Sequence, residues 1–192
     1  MKVTVAPLSP ERWADLESVF SGKGCSFART CWCMEYRLIG KRPDLAPGQT
    51  RANANRRALK DLVEGGSVPG LIGYRGKTPV GWVSLGPREE YARLTRSSVM
   101  KAVDEQPVWS VVCFVVPSEY RGQGVAEALL RAAVAYAKKK GAKIVEGYPI
   151  DKPTRSSDGF MWFGAKSMYD KVGFTEIARR KPQRPIVRLQ TD

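Results

Sequence analysis

Apolar and polar residues alternate along the chain with two different periods, which divide its first half into short elements. A period of two predicts a strand, whereas a capping residue followed by a helical repeat predicts a helix. In chain order these signals predict a strand at residues 2–8, a helix from Ser9 to about Ser21, a loop with one short helix at 25–48, a helix from Thr50 to Glu64, and a β-hairpin made by 71–74 and 79–85.

The second half is built from strands that alternate with helices. Residues 108–116 are rich in β-branched and aromatic side chains and predict a buried strand. After it the pattern predicts a helix at 124–140, a strand at 143–146, a helix at 163–171, and strands at 174–179 and 185–189. A crossover of this length joins parallel strands. The order predicts an α/β (α+β) fold, with a mixed central sheet of about seven strands and helices on both faces.

Length and composition are those of one globular domain. The chain has 192 residues, of which 43% are apolar and 27% charged. It contains no apolar run of the roughly 20 residues that a membrane span needs. The first residues lack the apolar run of a signal peptide. We therefore expect a cytoplasmic protein that does not enter the membrane.

The sequence contains no histidine, and this absence limits its chemistry. It excludes Ser-His-Asp and Cys-His nucleophilic catalysis. It also removes the commonest ligand of zinc and iron. Any proton transfer must therefore use Tyr, Glu, Asp, Lys, Cys, the backbone or water.

The formal charge is +13, from 32 Lys and Arg against 19 Asp and Glu. Such a field attracts nucleic acid, anionic membranes or small polyanions such as nucleotide phosphates, although surplus surface Lys and Arg explain it equally well. The basic residues are dispersed, and no known nucleic-acid-binding pattern accompanies them. Binding to nucleic acid is therefore a minor hypothesis.

A glycine-rich turn follows the strand at 108–116 directly and opens the next helix. Its sequence is Arg121-Gly122-Gln123-Gly124-Val125-Ala126. Two glycines let successive backbone N–H groups point into one concavity at a helix N-terminus, and Arg121 adds a cation. This arrangement predicts a receptor for a pyrophosphate.

Two other phosphate motifs fit less well. A Walker pattern that ends in Gly76-Lys77-Thr78 would need a glycine at position 71, where the chain has leucine. A dinucleotide-binding pattern that starts at Gly122 would need a third glycine at the position of Glu127, although Glu146 could supply its later acidic residue.

The turn fits Arg/Gln-x-x-Gly-x-Gly/Ala, and residues 116–126 resemble the acetyl-CoA motif of the GCN5-related N-acetyltransferase (GNAT) superfamily. A second block, residues 165–174, resembles the superfamily's A-x-x-x-Y-x-K-x-G-F element. Two positions depart from the family pattern: Trp162 stands where an Asn is common, and the usual Pro is shifted to Pro117.

The resemblance implies acetyl-CoA as co-substrate. It implies that the backbone at the end of the strand pairs with the pantetheine arm and stabilises the thioester oxyanion. The implied cofactor-binding residues are the strand end and the turn, namely Phe114, Val115, Val116, Arg121, Gly122, Gln123, Gly124, Val125 and Ala126. It also implies that Tyr169 is the general acid that protonates the departing thiolate, the alternative being a core tyrosine.

The general base has no motif of its own. The first candidate is Glu146, at the end of the strand after the motif helix, followed by Glu35 and Asp151. For each of the three, a surface carboxylate without a catalytic role is an equal alternative.

The segment that contains Cys31, Trp32 and Cys33 is the most unusual local sequence. In the superfamily this region commonly lines the acceptor pocket, so Trp32, Glu35, Tyr36 and Tyr148 are candidate substrate-binding residues. With Cys25 the two cysteines could form an incomplete zinc site, whose fourth ligand would have to be Cys113 or a carboxylate, but pocket or core packing fits better and we expect no metal.

Together these inferences predict an acetyl-CoA-dependent N-acetyltransferase that acts through a ternary complex on a small-molecule or peptide amine. We expect one domain over residues 1–192: an N-terminal part with acceptor-side loops at 1–106, an acetyl-CoA-binding core at 107–174 and C-terminal strands at 175–192. The protein would be a monomer or a homodimer. The alternatives are a catalytically inactive CoA-binding or regulatory domain and, less favoured, a nucleic-acid-binding module.

Overall fold

The structure is a computed structural model that describes residues 2–38, 45, 47–153 and 161–191. Within them it contains, in chain order, β1 (Thr4–Pro7), α1 (Trp13–Ser21), α2 (Ser26–Cys31), α3 (Arg51–Glu64), β2 (Gly70–Arg75), β3 (Thr78–Pro87), α4 (Ala92–Arg96), β4 (Trp109–Val115), α5 (Val125–Lys139), β5 (Ile144–Gly147), α6 (Lys166–Val172), β6 (Thr175–Lys181) and β7 (Arg184–Gln190).

The seven strands form one mixed sheet in the order β1-β2-β3-β4-β5-β7-β6. Only β4 and β5 pair in parallel, and the other neighbours are antiparallel. Helix α5 connects the parallel pair, as expected for a crossover. The predicted fold class is therefore confirmed.

Each face of the sheet carries its own apolar core. Helices α1, α2, α3 and α4 pack on one face, where Trp82 of β3 and Val112 of β4 are buried among their side chains. Helices α5 and α6 cover the opposite face, where Leu129 and Tyr169 pack on Val111 and neighbouring strand residues. We call these the α1–α4 face and the α5–α6 face. Because successive strand residues point to opposite faces, both are apolar along the central strands.

Local details depart from the sequence expectations at three places. Ser9 precedes a short 3-10 turn rather than the helix itself, and its side chain makes no cap hydrogen bond. Helix α4 lies within the polar stretch after β3, for which the residue pattern predicts no element. Helix α6 begins at Lys166, whereas residue 163 was expected. Residues 39–44 and 46, part of the predicted loop at 25–48, lie outside the described residues.

A buried charged network on the α1–α4 face joins β5 and β7 to the segments that follow β3 and α4. The fully buried carboxylate of Glu146 accepts hydrogen bonds from Arg88 at 2.9 Å and from Arg188 at 2.8 Å. Arg188 also binds Asp104 through two hydrogen bonds of 2.6 and 2.9 Å. The hydroxyl of Tyr148 donates to Glu146 at 2.6 Å. Because each buried charge has a charged partner, the network can exist within the core.

We expect Glu146→Gln to destabilise the fold strongly, because it leaves two buried guanidinium groups facing a neutral amide. Removing one partner of a buried ion pair costs about 3 kcal/mol or more. Chemical denaturation measures this as a fall in the free energy of unfolding. The matched control is Glu64→Gln, since the exposed Lys60–Glu64 pair on α3 should contribute little. Equal stability of the two variants would contradict the network's role.

Candidate active site

The parallel strands β4 and β5 pair over only three residues and then separate. Their register runs from Trp109 opposite Val145 to Val111 opposite Gly147. At the same level β4 has a register shift against β3, between the pairs Ser84–Cys113 and Leu85–Val111, so Val112 is an extra residue. A bulge of this kind bends the strand. The ends of β4 and β5 therefore form a V-shaped opening in the sheet.

A cleft of about 540 Å³ lies at this opening. Its walls come from parts of the chain that are distant in sequence: residues 24–28 and 31, the end of β4 at 113–116, the turn and helix start at 120–122 and 124–127, and residues 161, 162, 164, 165 and 168. Every predicted cofactor-binding residue except Gln123 lines it. The side chain of Gln123 instead bonds to Arg75 and donates to the carbonyl of Glu119.

The glycine turn has the conformation that its sequence predicts. Gly122 and Gly124 have φ of +71° and +78°, and a Cβ added to either would meet no atom within 4 Å. A side chain would find space at both positions. Glycine is therefore required there for its backbone conformation and not for lack of room. The space itself lies over the start of α5, whose first N–H groups have no partner within the helix. The turn is therefore open on the side where a phosphate would bind.

Arg121 fixes this turn to the opposite wall of the cleft. Its Nε donates to the carbonyl of Val116 at 2.8 Å, and its Nη2 donates to the carbonyl of Gly24 at 2.9 Å. The guanidinium thus links the end of β4 to the segment before α2. It also places a positive charge at the mouth of the cleft, beside the N-terminus of α5, where the helix dipole has the same sign.

The exposed edge of β4 supplies the backbone donors of the cleft. The N–H of Phe114 points away from β3 and donates to the carbonyl of Trp162 at 2.6 Å. Because alternate N–H groups of a strand point to the same side, we expect the N–H of Val116, just beyond the end of β4, to point toward the cleft as well. The edge amide of Phe114 thus has a protein partner in this structure, which the sequence does not indicate.

Tyr169 lies directly behind the cleft wall. Its ring packs edge-on to Phe114, with a centroid separation of 6.4 Å, and fills the space beside Gly147, where a Cβ would lie 2.2 Å from it. The tyrosine is fully buried, yet its hydroxyl has no hydrogen-bond partner among the described residues. Burial, together with nearby Cys113, raises the pKa of Tyr169 well above its ordinary value. The phenol therefore stays protonated and is a donor without an acceptor.

Three of the four cysteines meet beneath the cleft. The Cys33 thiol contacts those of Cys31 and Cys113, and the indole N–H of Trp82 donates to its sulfur at 3.2 Å. The hydrogen bond with Cys33, and then burial, raise the pKa of the Cys31 thiol. Within the described ranges, no group of three or more His, Cys, Asp or Glu side chains is arranged to hold a metal ion.

The other predicted site residues do not line the cleft. Glu146 and Tyr148 belong to the buried network on the α1–α4 face, with Tyr148 also 2.8 Å from the hydroxyl of Ser110. Trp32 is buried in the core, where it stacks on Trp13. The carboxylates of Glu35 and Asp151 pair with Arg93 and Arg179. Tyr36 packs edge-on to Phe163 at 5.4 Å.

The sequence interpretation missed the wall formed by α2. Gly24, Cys25, Phe27 and Ala28 approach the turn only through tertiary contacts, and no local motif marks them. Among these lining residues, Phe27 stacks on Trp162 at 5.3 Å and is 56% exposed, a contact that only the tertiary structure shows.

The comparison with protein families agrees with this geometry. The sequence model of the Acetyltransferase (GNAT) family matches residues 37–174, most of the chain. The chain belongs to this family. The matched region contains β4, the glycine turn, α5 and α6, which carry the cleft. The comparison with curated proteins found no significant match.

Solved structures with the same fold include several acetyltransferases. The PaiA N-acetyltransferase of Thermoplasma acidophilum, in complex with coenzyme A, is 19% identical with a TM-score of 0.53 and covers 99% of both chains. An N-acetyltransferase of Staphylococcus aureus Mu50 is 14% identical with a TM-score of 0.55 over 100% of both chains. A GNAT-family acetyltransferase of Streptococcus agalactiae is 10% identical with a TM-score of 0.57, over 99% of this chain and 96% of its own. At these identities the likeness shows the fold alone.

In the described part of the chain, no helix has the length and apolar character that crossing a membrane requires.

The unpaired hydroxyl of Tyr169 leads to a stability prediction. We expect Tyr169→Phe to leave the free energy of unfolding unchanged or to raise it by about 1 kcal/mol, because it removes a buried donor that has no acceptor. Tyr148→Phe is the matched control. It removes a buried hydroxyl bonded to Arg88, Ser110 and Glu146 and should cost about 1–3 kcal/mol. A large loss in Tyr169→Phe would show that its hydroxyl has a partner in the free protein.

Proposed function

We propose that this protein is an acetyl-CoA-dependent N-acetyltransferase that passes an acetyl group directly from the thioester to an amine within a ternary complex. The observation that carries the proposal is the meeting of three features at one cleft: the open glycine turn at the start of α5, the end of β4 along one wall, and the buried phenol of Tyr169 directly behind that wall. The family membership supports the reaction class. CoA is also what the T. acidophilum structure of the same fold contains.

The described residues fit CoA. The N–H groups at the start of α5, with Arg121, would hold the pyrophosphate, since a helix N-terminus and a guanidinium both favour an anion. The edge N–H of Val116, and that of Phe114 once it leaves Trp162, would pair with the pantetheine arm. When bound, acetyl-CoA supplies an activated acyl carbon.

Each residue then has a defined task. The β4 edge amides stabilise the negative charge that develops on the carbonyl oxygen, as preorganised donors do in acyl transfer. Tyr169 gives its proton to the leaving sulfur. The phenol carries this proton beforehand because its pKa is raised. The walls of the cleft hold the amine and the acyl carbon together, and this positioning lowers the entropic part of the barrier.

Glu146 is an unfavourable general base. Glu146 has two arginine partners and a tyrosine donor, so its oxygens are occupied. Its environment favours a role in stability. We propose that the acceptor amine loses its proton to water, so that no carboxylate in the cleft is needed for the reaction.

One observation favours the alternative of a CoA-binding domain without turnover. The Phe114 N–H, a donor that the reaction would use, is bonded to the Trp162 carbonyl at 2.6 Å. If this bond persists when CoA binds, the cleft loses one oxyanion donor, and such a loss costs about 100-fold or more in kcat. The release of free thiol from acetyl-CoA in a panel of amines separates the two functions. For nucleic-acid binding, the net charge is the only support.

We expect Gly124→Ala to weaken CoA binding at least tenfold. A side chain at φ +78° strains the turn, and the backbone must shift where the phosphates would bind. The matched control is Gly141→Ala: this glycine lies just beyond the other end of α5, has φ of +86° and also has nothing within 4 Å of an added Cβ. Isothermal titration with CoA should find the control unchanged. Equal affinities in the two variants would place the CoA site elsewhere.

A second prediction concerns Tyr169 in turnover. We expect Tyr169→Phe to lower kcat by about 100-fold or more, as the loss of a general acid does. The Kd for CoA should change less than twofold, because the ring that packs on Phe114 and Gly147 remains. Steady-state kinetics and titration calorimetry on the same preparation give both values. Unchanged turnover would remove Tyr169 from the mechanism.

A further inference from the structure

An aromatic cluster lies on the α1–α4 face next to the cleft. Phe163 directly follows Trp162 of the cleft wall, and its ring lies edge-on to Tyr36 at 5.4 Å and to Tyr148 at 6.2 Å. The side chain of Trp162 hydrogen-bonds to Tyr36, and Cys113 is close enough to affect the titration of Tyr36. This cluster therefore borders the part of the cleft that we assign to the acyl group.

The guanidinium of Arg184 lies against this cluster. Arg184 is the first residue of β7, and its Cζ is 4.6 Å from the ring centroid of Phe163. Side chains on the same strand alternate between faces. Arg184 thus shares the α1–α4 face with Ile186 and Arg188, which is the face opposite Tyr169.

Arg184 lacks the partners that a half-buried cation needs. Its Nε is buried with no hydrogen-bond partner among the described residues. The one hydrogen bond found for its guanidinium joins Nη2 to the sulfur of Met100 at 3.5 Å, a weak acceptor. Burial lowers the pKa of Arg184, and Tyr36 opposes this shift. The cation is therefore desolvated without a compensating anion in the described parts of the chain.

Other arginines near the site have oxygen atoms as hydrogen-bond or ion-pair partners. Arg88 and Arg188 both bind Glu146. Arg93, whose guanidinium lies over the ring of Tyr36, binds Glu35. Arg180 donates to the backbone carbonyls of Val99, Lys101 and Ala102. These four guanidinium groups thus have carboxylate or carbonyl partners, whereas among the described residues that of Arg184 makes a hydrogen bond only to the sulfur of Met100.

We propose that Arg184 binds a carboxylate carried by the acceptor, so that the acceptor is an amino acid or another amine with a single carboxylate. The inference rests on the proposed function and names its substrate class. A guanidinium matches a planar carboxylate with two parallel N–H donors. A phosphate dianion would need more positive charge than this one guanidinium supplies.

The placement agrees with the chemistry of the transfer. With its carboxylate on Arg184, the acceptor would lie beside the partly exposed Tyr36, and its amine would enter the cleft from the α1–α4 face. The amine nitrogen bonds to the acyl carbon as the carbon–sulfur bond breaks. The ammonium loses one proton to water before it attacks, and the nitrogen loses a second to water as the amide forms. The sulfur gains one proton from Tyr169, which lies on the other face and regains its proton from solvent.

The test compares matched acceptors that differ only in charge. Amino acids and their primary amides are assayed for kcat/KM with the full-length wild type, Arg184→Met, Arg184→Lys and Arg93→Gln. We expect the wild type to favour the free carboxylate at least tenfold. Arg184→Met should reduce the ratio to near one through KM, and Arg184→Lys should restore part of it. Arg93→Gln, which removes an already paired arginine, should keep the wild-type ratio.

Two outcomes overturn the inference and leave the proposed function in place. One is a wild type that acetylates amines with equal or better efficiency when the carboxylate is absent. The other is a preference for carboxylates that Arg184→Met retains.

A binding experiment keeps the two proposals separate if no acceptor is acetylated. Saturation-transfer NMR with N-acetylglycine and N-acetylglycinamide, in the presence and absence of CoA, needs no turnover. Binding of the acid alone, lost in Arg184→Met and kept in Arg93→Gln, supports the carboxylate site even though the transferase assignment fails. Absence of binding by N-acetylglycine, or its persistence in Arg184→Met, contradicts the site.

Discussion

The separation of β4 from β5 beyond Val111 and Gly147 is the constraint on which the site depends. A parallel pair that continued would bury both edges, and the amides of Phe114 and Val116 would bond to the neighbouring strand. Because the strands part, these donors face a cleft, and Tyr169 can pack in the space next to Gly147. Below the opening, the buried ion pairs of Glu146 join β5 to Arg188 of β7 and to Arg88 after β3, and Tyr148 of the same network reaches Ser110 of β4. The paired part of β4 and β5 thus contributes to stability, and the part beyond the pairing contributes to binding.

The cleft combines donors of different origin. The glycine turn and the start of α5 offer backbone N–H groups and a helix dipole, and Arg121 connects them to the segment before α2. The β4 edge offers further amides, and the phenol of Tyr169 is a buried donor without a partner. All of these groups favour an acceptor-rich ligand such as a pyrophosphate joined to a pantetheine thioester. The overall positive charge adds a general attraction for such an anion.

How much of this the sequence predicts depends on whether the determining contacts are local. The turn at residues 121–126 follows from its own glycines, so its conformation and its place at the start of α5 were predictable. Gln123 belongs to the same motif, yet its side chain turns toward Arg75 of the β2–β3 hairpin, a contact that no local pattern shows. Glu146 was chosen for its place at a strand end, but Arg88 and Arg188 reach it from distant parts of the chain. The α2 wall and the lone cation at Arg184 likewise arise from tertiary packing.

The most direct test of this account is a crystal structure of the protein with CoA. The account predicts the pyrophosphate within hydrogen-bond distance of the backbone N–H groups of Val125 and Ala126, the pantetheine along the edge of β4, and the sulfur beside the hydroxyl of Tyr169. A complex in which CoA binds away from the V-shaped opening, or crystals that take up no CoA at saturating concentration, would contradict it.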